Sequence, residues 1–202
     1  MSDVRIPTQK RSIEKRNKII EKGFELMCDK GYYNVSTADI AKYAGVSTGI
    51  IYQYFNDKKD IFIEGVKNYS DKIMYPMINI LETEKIDLNN LNVILKNMIN
   101  KFIETHTISE KAHEELMAMS HLDNDVSEIF KNSEIEMTEK IVTLLNNNNI
   151  SVANLREKVH IIMGIIDNLC HDIVYHKHKN INYDIMKNEV INIIINLLNQ
   201  DN

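Results

Sequence analysis

Two prolines, six glycines and two cysteines are spread over 202 residues. So few backbone breakers argue against a many-turned β fold and for long helices, as does the abundance of Ile, Leu, Met, Lys, Glu and Asn. Cys28 and Cys170 stand far apart without a Cys-x-x-Cys context. This speaks against a disulfide framework and makes a reducing cytoplasm the expected compartment. No run of about 18 apolar residues exists, so no transmembrane helix and no membrane partner are expected. The richest stretch, Val190 to Leu198, is broken by Asn192 and Asn196. The opening MSDVRIPTQKRSIEKRNK lacks the apolar segment of a secretory signal. Also missing are Gly-x-Ser-x-Gly, His-Glu-x-x-His and a Gly-rich phosphate loop, so nothing supports an enzyme and no cofactor is expected.

What is present is ordinary for a globular chain, with 44% hydrophobic and 26% charged residues. The net charge of −5 is unevenly placed. Residues 1–72 carry 13 Lys and Arg against 10 Asp and Glu, whereas residues 73–202 carry 11 against 19. A basic first third on an acidic body points to an anionic partner for that part alone, such as a nucleic acid or an anionic surface.

Apolar spacing predicts an all-α chain of about nine helices and no internal repeat. After a polar tail over residues 1–10, Ile13, Ile20, Phe24 and Met27 mark a helix over 11–30, with Lys15, Arg16, Lys18 and Lys22 opposite and Gly31 at its end. Ser36 and Asp39 have capping-box spacing, so a second helix starts there and stops at Gly45. Ser47 can cap a third helix reaching Tyr54 or Phe55. Asp57 and Asp60 open a fourth, expected to reach about Met74, with Pro76 kinking or ending it. Further helices are expected over 88–105 (from Leu88), 109–121, 125–146, 152–177 and 183–199, with Asn146–Asn149 as a connector.

Within this pattern, Ser36 to Lys58 reads STADIAKYAGVSTGIIYQYFNDK. Ala41 and Ala44 are small where two short helices would cross, Gly45 permits a positive φ, and Val46 can plug the turn. Ile40, Ile51 and Phe55 can fill the space between the helices. The combination describes a helix-turn-helix over residues 36–55. It resembles the signature of the TetR family. The matching residues are Ser36, Ile40-Ala41, Ala44-Gly45-Val46-Ser47, Gly49, Ile51-Tyr52, Tyr54-Phe55 and Lys58, preceded by Phe24 and Gly31.

The resemblance implies an N-terminal three-helix DNA-binding domain over 11–57 and a C-terminal helical effector-binding and dimerisation domain over 58–202. It implies a ligand-responsive regulator, expected to be a repressor that binds a palindromic double-stranded DNA operator as a homodimer and leaves it on binding a small-molecule effector. DNA contacts are expected from Ser36, Thr37, Ser47, Thr48, Gly49, Tyr52, Gln53, Tyr54 and Lys58. Ser36, Thr37, Tyr52, Tyr54 and Lys58 would hold phosphates, while Gln53 would read a base. Thr48 and Ala38 stand where relatives often carry basic residues, so the reading face is less cationic than usual. The tail cations Arg5, Lys10, Arg11, Lys15 and Arg16 can add phosphate or minor-groove contacts. Met98, Phe102, Met117, Met119, Phe130, Met137 and Tyr175 are expected to line the effector pocket. Ile162, Ile166, Leu169, Ile173, Ile191, Ile195 and Leu198 are expected at the dimer interface, within an apolar set that also holds Ile161, Ile165 and Ile194.

Cys170, His171, His176 and His178 gather near one predicted helix end, and His106, His113 and His121 lie upstream without a ligand pattern. These read as a polar helix end beside a buried thiol, and no metal site is expected. Two other readings remain open at this level. One is an activator or chromosome-associated, cell-division regulator of the same fold. The other is a helical enzyme or scaffold without DNA affinity.

Overall fold

The computed structural model describes residues 7–87, 89–107 and 110–199. Arg5 of the tail and Leu88 therefore lie outside the described residues, as do parts of the expected starts at 88 and 109. The described residues hold nine α-helices and no strand. These are α1 (Lys10–Lys30), α2 (Thr37–Ala44), α3 (Thr48–Tyr54), α4 (Lys58–Thr83), α5 (Leu91–His106), α6 (Glu110–Leu122), α7 (Asn124–Asn147), α8 (Leu155–Val174) and α9 (Tyr183–Asn199). A 3₁₀ turn, Tyr32–Asn34, follows α1. Among the described residues, no helix is long and apolar enough to cross a membrane.

The chain packs as two units, and the break differs from the boundary expected at 57/58. The first unit comprises the described residues up to Ser70 together with Lys111–Ile129, and the second comprises Asp71–Glu110 and the described residues from Phe130 onward. The first three turns of α4 belong with α1–α3 because Ile61, Phe62 and Val66 are fully buried there. Phe62 packs against Phe24 and Tyr32, with ring centroids 5.6 and 5.1 Å away.

In the first unit, α1 buries Ile19, Ile20, Gly23, Leu26 and Met27. The observed stripe thus repeats at i, i+3/i+4 and i+7 around Gly23, and the expected member Ile13 is 40% exposed in the first turn. Gly23 and Gly65 set how closely the helices approach. A Cβ at position 65 would stand 2.6 Å from the Cβ of Phe24, and one at position 23 would stand 2.7 Å from Cγ2 of Ile61. α2 and α3 close over this base through Ile40, Ala41, Ala44, Ile51, Tyr54 and Phe55, all buried.

In the second unit, α5, α8 and α9 pack against one another in all three pairings. Ile94, Leu95, Ile99 and Phe102 of α5, Val159, Ile166, Leu169 and Cys170 of α8, and Ile191, Ile194 and Leu198 of α9 are buried. α4 does not end near Met74 but runs through Pro76 to Thr83. The proline removes one helical N–H, and burial of Met77, Ile78 and Leu81 beyond it offsets that loss. The two thiols, Cys28 and Cys170, are buried and unbridged, and burial pushes each up to about 12. They behave as small apolar side chains.

The expected dimer residues need correction. Ile162, Ile166, Leu169, Ile191 and Leu198 are buried within the chain, and Ile173 and Ile195 are half-buried. They form intrachain core because α8 and α9 turn this row toward each other and toward α5. The exposed apolar row is one step around each helix, with Ile161 52% and Ile193 51% exposed.

Gly65→Ala is informative because two principles oppose each other. Helix propensity alone would favour alanine by about 1 kcal/mol. Overlap with Phe24 should reverse the sign and leave the variant about 1–3 kcal/mol less stable. Urea unfolding followed by circular dichroism measures this, and a stabilised variant would refute the close crossing.

Candidate nucleic-acid interface

The DNA-reading candidate is built by local rules that the sequence already carries. Ser36 begins α2 with a reciprocal capping box. The Asp39 N–H donates to Ser36 Oγ at 3.2 Å, and the Ser36 N–H donates to Asp39 Oδ2 at 2.9 Å. The Ser36 hydroxyl and then the Ser36 N–H, both donated to the Asp39 carboxylate, hold it below its ordinary value. A cap of this kind contributes about 1 kcal/mol. Gly45 ends α2 in the left-handed region at φ 69°, ψ 39°. Val46 N–H then reaches back to Ala41 O at 2.9 Å and Gly45 N–H to Lys42 O at 3.2 Å. This six-to-one closure sets the angle at which α3 leaves.

α3 separates its faces cleanly. Ile51 and Tyr54 are buried, with Phe55 just after, whereas Thr48, Gly49, Tyr52 and Gln53 are exposed. The exposed set lies at i, i+1, i+4 and i+5, one side of a seven-residue helix. Tyr52 is 55% exposed. Ser47 holds the N-cap position of α3 without a side-chain cap bond, so its hydroxyl is not committed to the helix. Ser36 is exposed and Thr37 half-buried at the start of α2.

Two expected phosphate contacts are placed differently. Tyr54 is only 4% exposed, because its position puts it on the face of α3 that meets the core. Lys58 is half-buried, and its ammonium donates to Tyr32 O at 2.7 Å and to Val35 O at 2.8 Å. It also lies 4.4 Å from the Tyr32 ring centroid. Lys58 therefore ties the start of α4 to the 3₁₀ connector that leads into α2. Asp57 caps α4 by accepting the N–H groups of Lys59 and Asp60 at 2.7 and 3.1 Å, as its spacing implied.

The support behind this connector comes from residues far along the chain that no local pattern marks. Glu115 of α6 accepts the Tyr32 N–H at 2.6 Å. Lys59 bridges Asp123 and Asp125 at 2.7 Å each, so the two carboxylates raise the lysine and the lysine lowers Asp123. Lys111 pairs with Asp29 at the end of α1. Arg16 stacks 5.0 Å from the Phe55 ring centroid and pairs with Glu64 at 3.4 Å. α6 and the first residues of α7 thus belong to the head that presents α3.

Residues 19–64 match the family model described as bacterial regulatory proteins of the tetR family. The match covers the helix-turn-helix and its flanking helical segments, about a quarter of the chain, and it is there that the chain is similar to the family. Among curated relatives, HbdR of Aromatoleum sp. (strain CIB), an HTH-type transcriptional regulator, is 47% identical over 58 residues, covering 29% of this chain and 25% of that one. The fatty acid metabolism regulator protein of Bacillus subtilis (strain 168) is 26% identical over 114 residues, covering 56% of this chain and 59% of that one. The matches thus span a quarter to three-fifths of these relatives' lengths. A crystal structure from Mesorhizobium loti MAFF303099, assigned to the TetR family, superposes with a TM-score of 0.73 at 16% identity, covering 95% of this chain and 98% of that one. At that identity the likeness concerns the fold.

Of the other residues singled out from the sequence, Met117 and Met119 lie on α6 in the first unit, half-buried and buried. Met98, Phe102 and Met137 are buried, and Phe130 and Tyr175 half-buried, in the second.

Lys58→Met tests whether the lysine clamps the connector or binds DNA. Two charge-assisted bonds are lost, so the variant should be about 1–3 kcal/mol less stable, with the salt slope of DNA affinity unchanged. A slope reduced by about one at unaltered stability would instead make Lys58 a phosphate contact.

Proposed function

We propose that this chain is a ligand-responsive repressor that binds a palindromic operator as a homodimer and is released by a small-molecule effector held in its second unit. The observation that carries the reading is the division of α3, whose apolar side anchors it while Thr48, Gly49, Tyr52 and Gln53 remain exposed. A helix so presented fits the major groove. Gln53 is the candidate base reader through its amide, and Thr48 can meet a thymine methyl. Tyr52, with Ser36, Thr37 and Ser47 at the helix starts, supplies neutral donors to phosphates.

A single seven-residue reading helix covers too few base pairs for tight specific binding, so two copies on a palindrome are the natural unit. The exposed rows of α8 and α9 suit that contact. On α8, Ile161, Gly164, Ile165 and Asn168 share one face at i, i+3, i+4 and i+7, and nothing lies within 4 Å of a Cβ built at Gly164. A glycine there costs the free helix about 1 kcal/mol, a cost that close approach of a partner helix would explain. On α9, Ile185 and Ile193 lie on one exposed side. The apolar side chains Met98, Phe102 and Met137, with Phe130 and Tyr175 of the same unit, suit an apolar effector. α4 begins in the first unit and ends in the second, which makes it the covalent route by which an occupied effector site can shift the head.

Two experiments test this reading. In gel-shift assays with the DNA upstream of its own gene, the full chain should give a sequence-selective complex at moderate salt. Gln53→Ala should lose about 1–3 kcal/mol of discrimination at one base pair, and Tyr52→Phe should weaken all sequences alike. Absence of any selective complex would sink the proposal. In sedimentation, the wild type should run as a dimer and Ile161→Asp/Ile193→Asp as a helical monomer with weakened operator affinity. A dimer that survives both charges would place the interface elsewhere.

A further inference from the structure

The fold brings together three groups that the sequence keeps 61 to 65 positions apart or one turn apart. His106 lies at the C-terminus of α5, while Asp167 and His171 occupy successive turns of α8, the helix packed against it. One ligand-capable atom from each residue lies within 4.8 Å of the others. The edge from His171 Nε2 to Asp167 Oδ1 is 3.5 Å. Ligands bound about 2.1 Å from a tetrahedral ion stand roughly 3.4 Å apart, so this edge already has the spacing of two ligands. We propose that His106, Asp167 and His171 form a binding site for a divalent first-row transition-metal ion.

The surroundings suit the role. His106 Nδ1–H donates to Phe102 O at 2.9 Å, which fixes the tautomer and assigns Nε2 as the ligating atom. Metal-binding histidines are oriented by such a bond from the second ring nitrogen to a carbonyl. The Tyr175 hydroxyl donates to the His106 carbonyl at 2.7 Å, and its ring lies beside both imidazoles, with centroids 6.4 and 5.7 Å away. Burial pushes both imidazoles below their ordinary values, toward the neutral form that ligates. Burial also raises the Asp167 carboxyl, a tendency that a bound dication reverses.

Two imidazoles and one carboxylate favour Zn²⁺, Co²⁺, Ni²⁺ or Fe²⁺ over Mg²⁺ and Ca²⁺, which prefer oxygen. Three protein ligands leave coordination positions for water or a small ligand. The donor set also differs from the cysteine and histidine cluster visible in the sequence. Cys170 is fully buried with a thiol held protonated, and His176 and His178 lie beyond the end of α8 on exposed chain.

The test uses Co²⁺ alone, added to full-length protein stripped with a chelator, and reads the visible absorption of bound Co²⁺. Wild type should saturate at one equivalent per chain, and Zn²⁺ should abolish the signal. His171→Ala and Asp167→Asn, both at half-buried positions, should bind at least about tenfold more weakly with unchanged helicity, and His178→Ala should bind as wild type. No saturable spectrum in the wild type would overturn the proposal. So would unchanged affinity in both of the first two variants, or an equal loss in His178→Ala. DNA binding is not read in this experiment, so its outcome is independent of the proposed repression.

Discussion

The reading head depends on how closely α1 and α4 cross. At Gly23 and Gly65 there is no room for a Cβ, and the space is taken by Ile61 and by Phe24. Close contact there lets Ile40 of α2 reach the same point, since its Cγ2 would stand 3.0 Å from a Cβ at position 23. α2 is therefore seated on the α1–α4 base, and α3 is seated on α2 through Ile51, Tyr54 and Phe55. Each layer is short, and an eight-residue or seven-residue helix is marginal alone in water. Packing against the base is what keeps α2 and α3 helical, and hence what fixes which side chains α3 exposes.

Much of this was legible because it is local. The Ser36–Asp39 box, the Asp57 cap, the Gly45 closure and the exposed positions Thr48, Gly49, Tyr52 and Gln53 of α3 all follow from residues within six positions of one another, whereas Tyr54, expected on the exposed side, is buried. Helix existence was legible throughout, since the apolar periods are long. The missed features join residues far apart in the chain. Glu115 lies 83 positions from the Tyr32 N–H that it accepts. Gly23 and Gly65 look like helix-weakening residues until their opposing side chains are known. Lys58 looks like a surface cation because its acceptors are main-chain carbonyls, which carry no sequence signature. Pro76 reads as a kink or stop only while the buried residues beyond it, Met77, Ile78 and Leu81, are left out of account. Most of the residues expected at a dimer contact are instead buried within the chain for a related reason. Composition marks α8 and α9 as apolar, but only packing says which stripe the chain itself consumes.

The same distinction applies to the histidines. Proximity in sequence grouped His171 with Cys170, His176 and His178. The fold instead pairs it with His106, because the end of α5 lies against the last turns of α8. One helix turn supplies Asp167 and His171 together, and the second helix supplies the remaining nitrogen. A periodicity argument within one helix can find the first pair, whereas the third group needs the tertiary structure.

The charge of the first third acquires a different meaning once its partners are known. Residues 1–72 hold a surplus of three positive charges. Yet Arg16 faces Glu64, Lys22 faces Glu25, Lys59 faces two aspartates and Lys58 faces two carbonyls. Those cations hold the head together, while Lys18 and Lys42 remain exposed near α2. The exposed face of α3 itself carries hydroxyls, an amide and a glycine, with no charge between Thr48 and Tyr54. Affinity from such a face rests on geometry and neutral hydrogen bonds more than on counterion release. Rigidity of the base then matters more than it would for a cationic surface, because a neutral donor misplaced by an ångström loses its bond while a charge keeps most of its attraction.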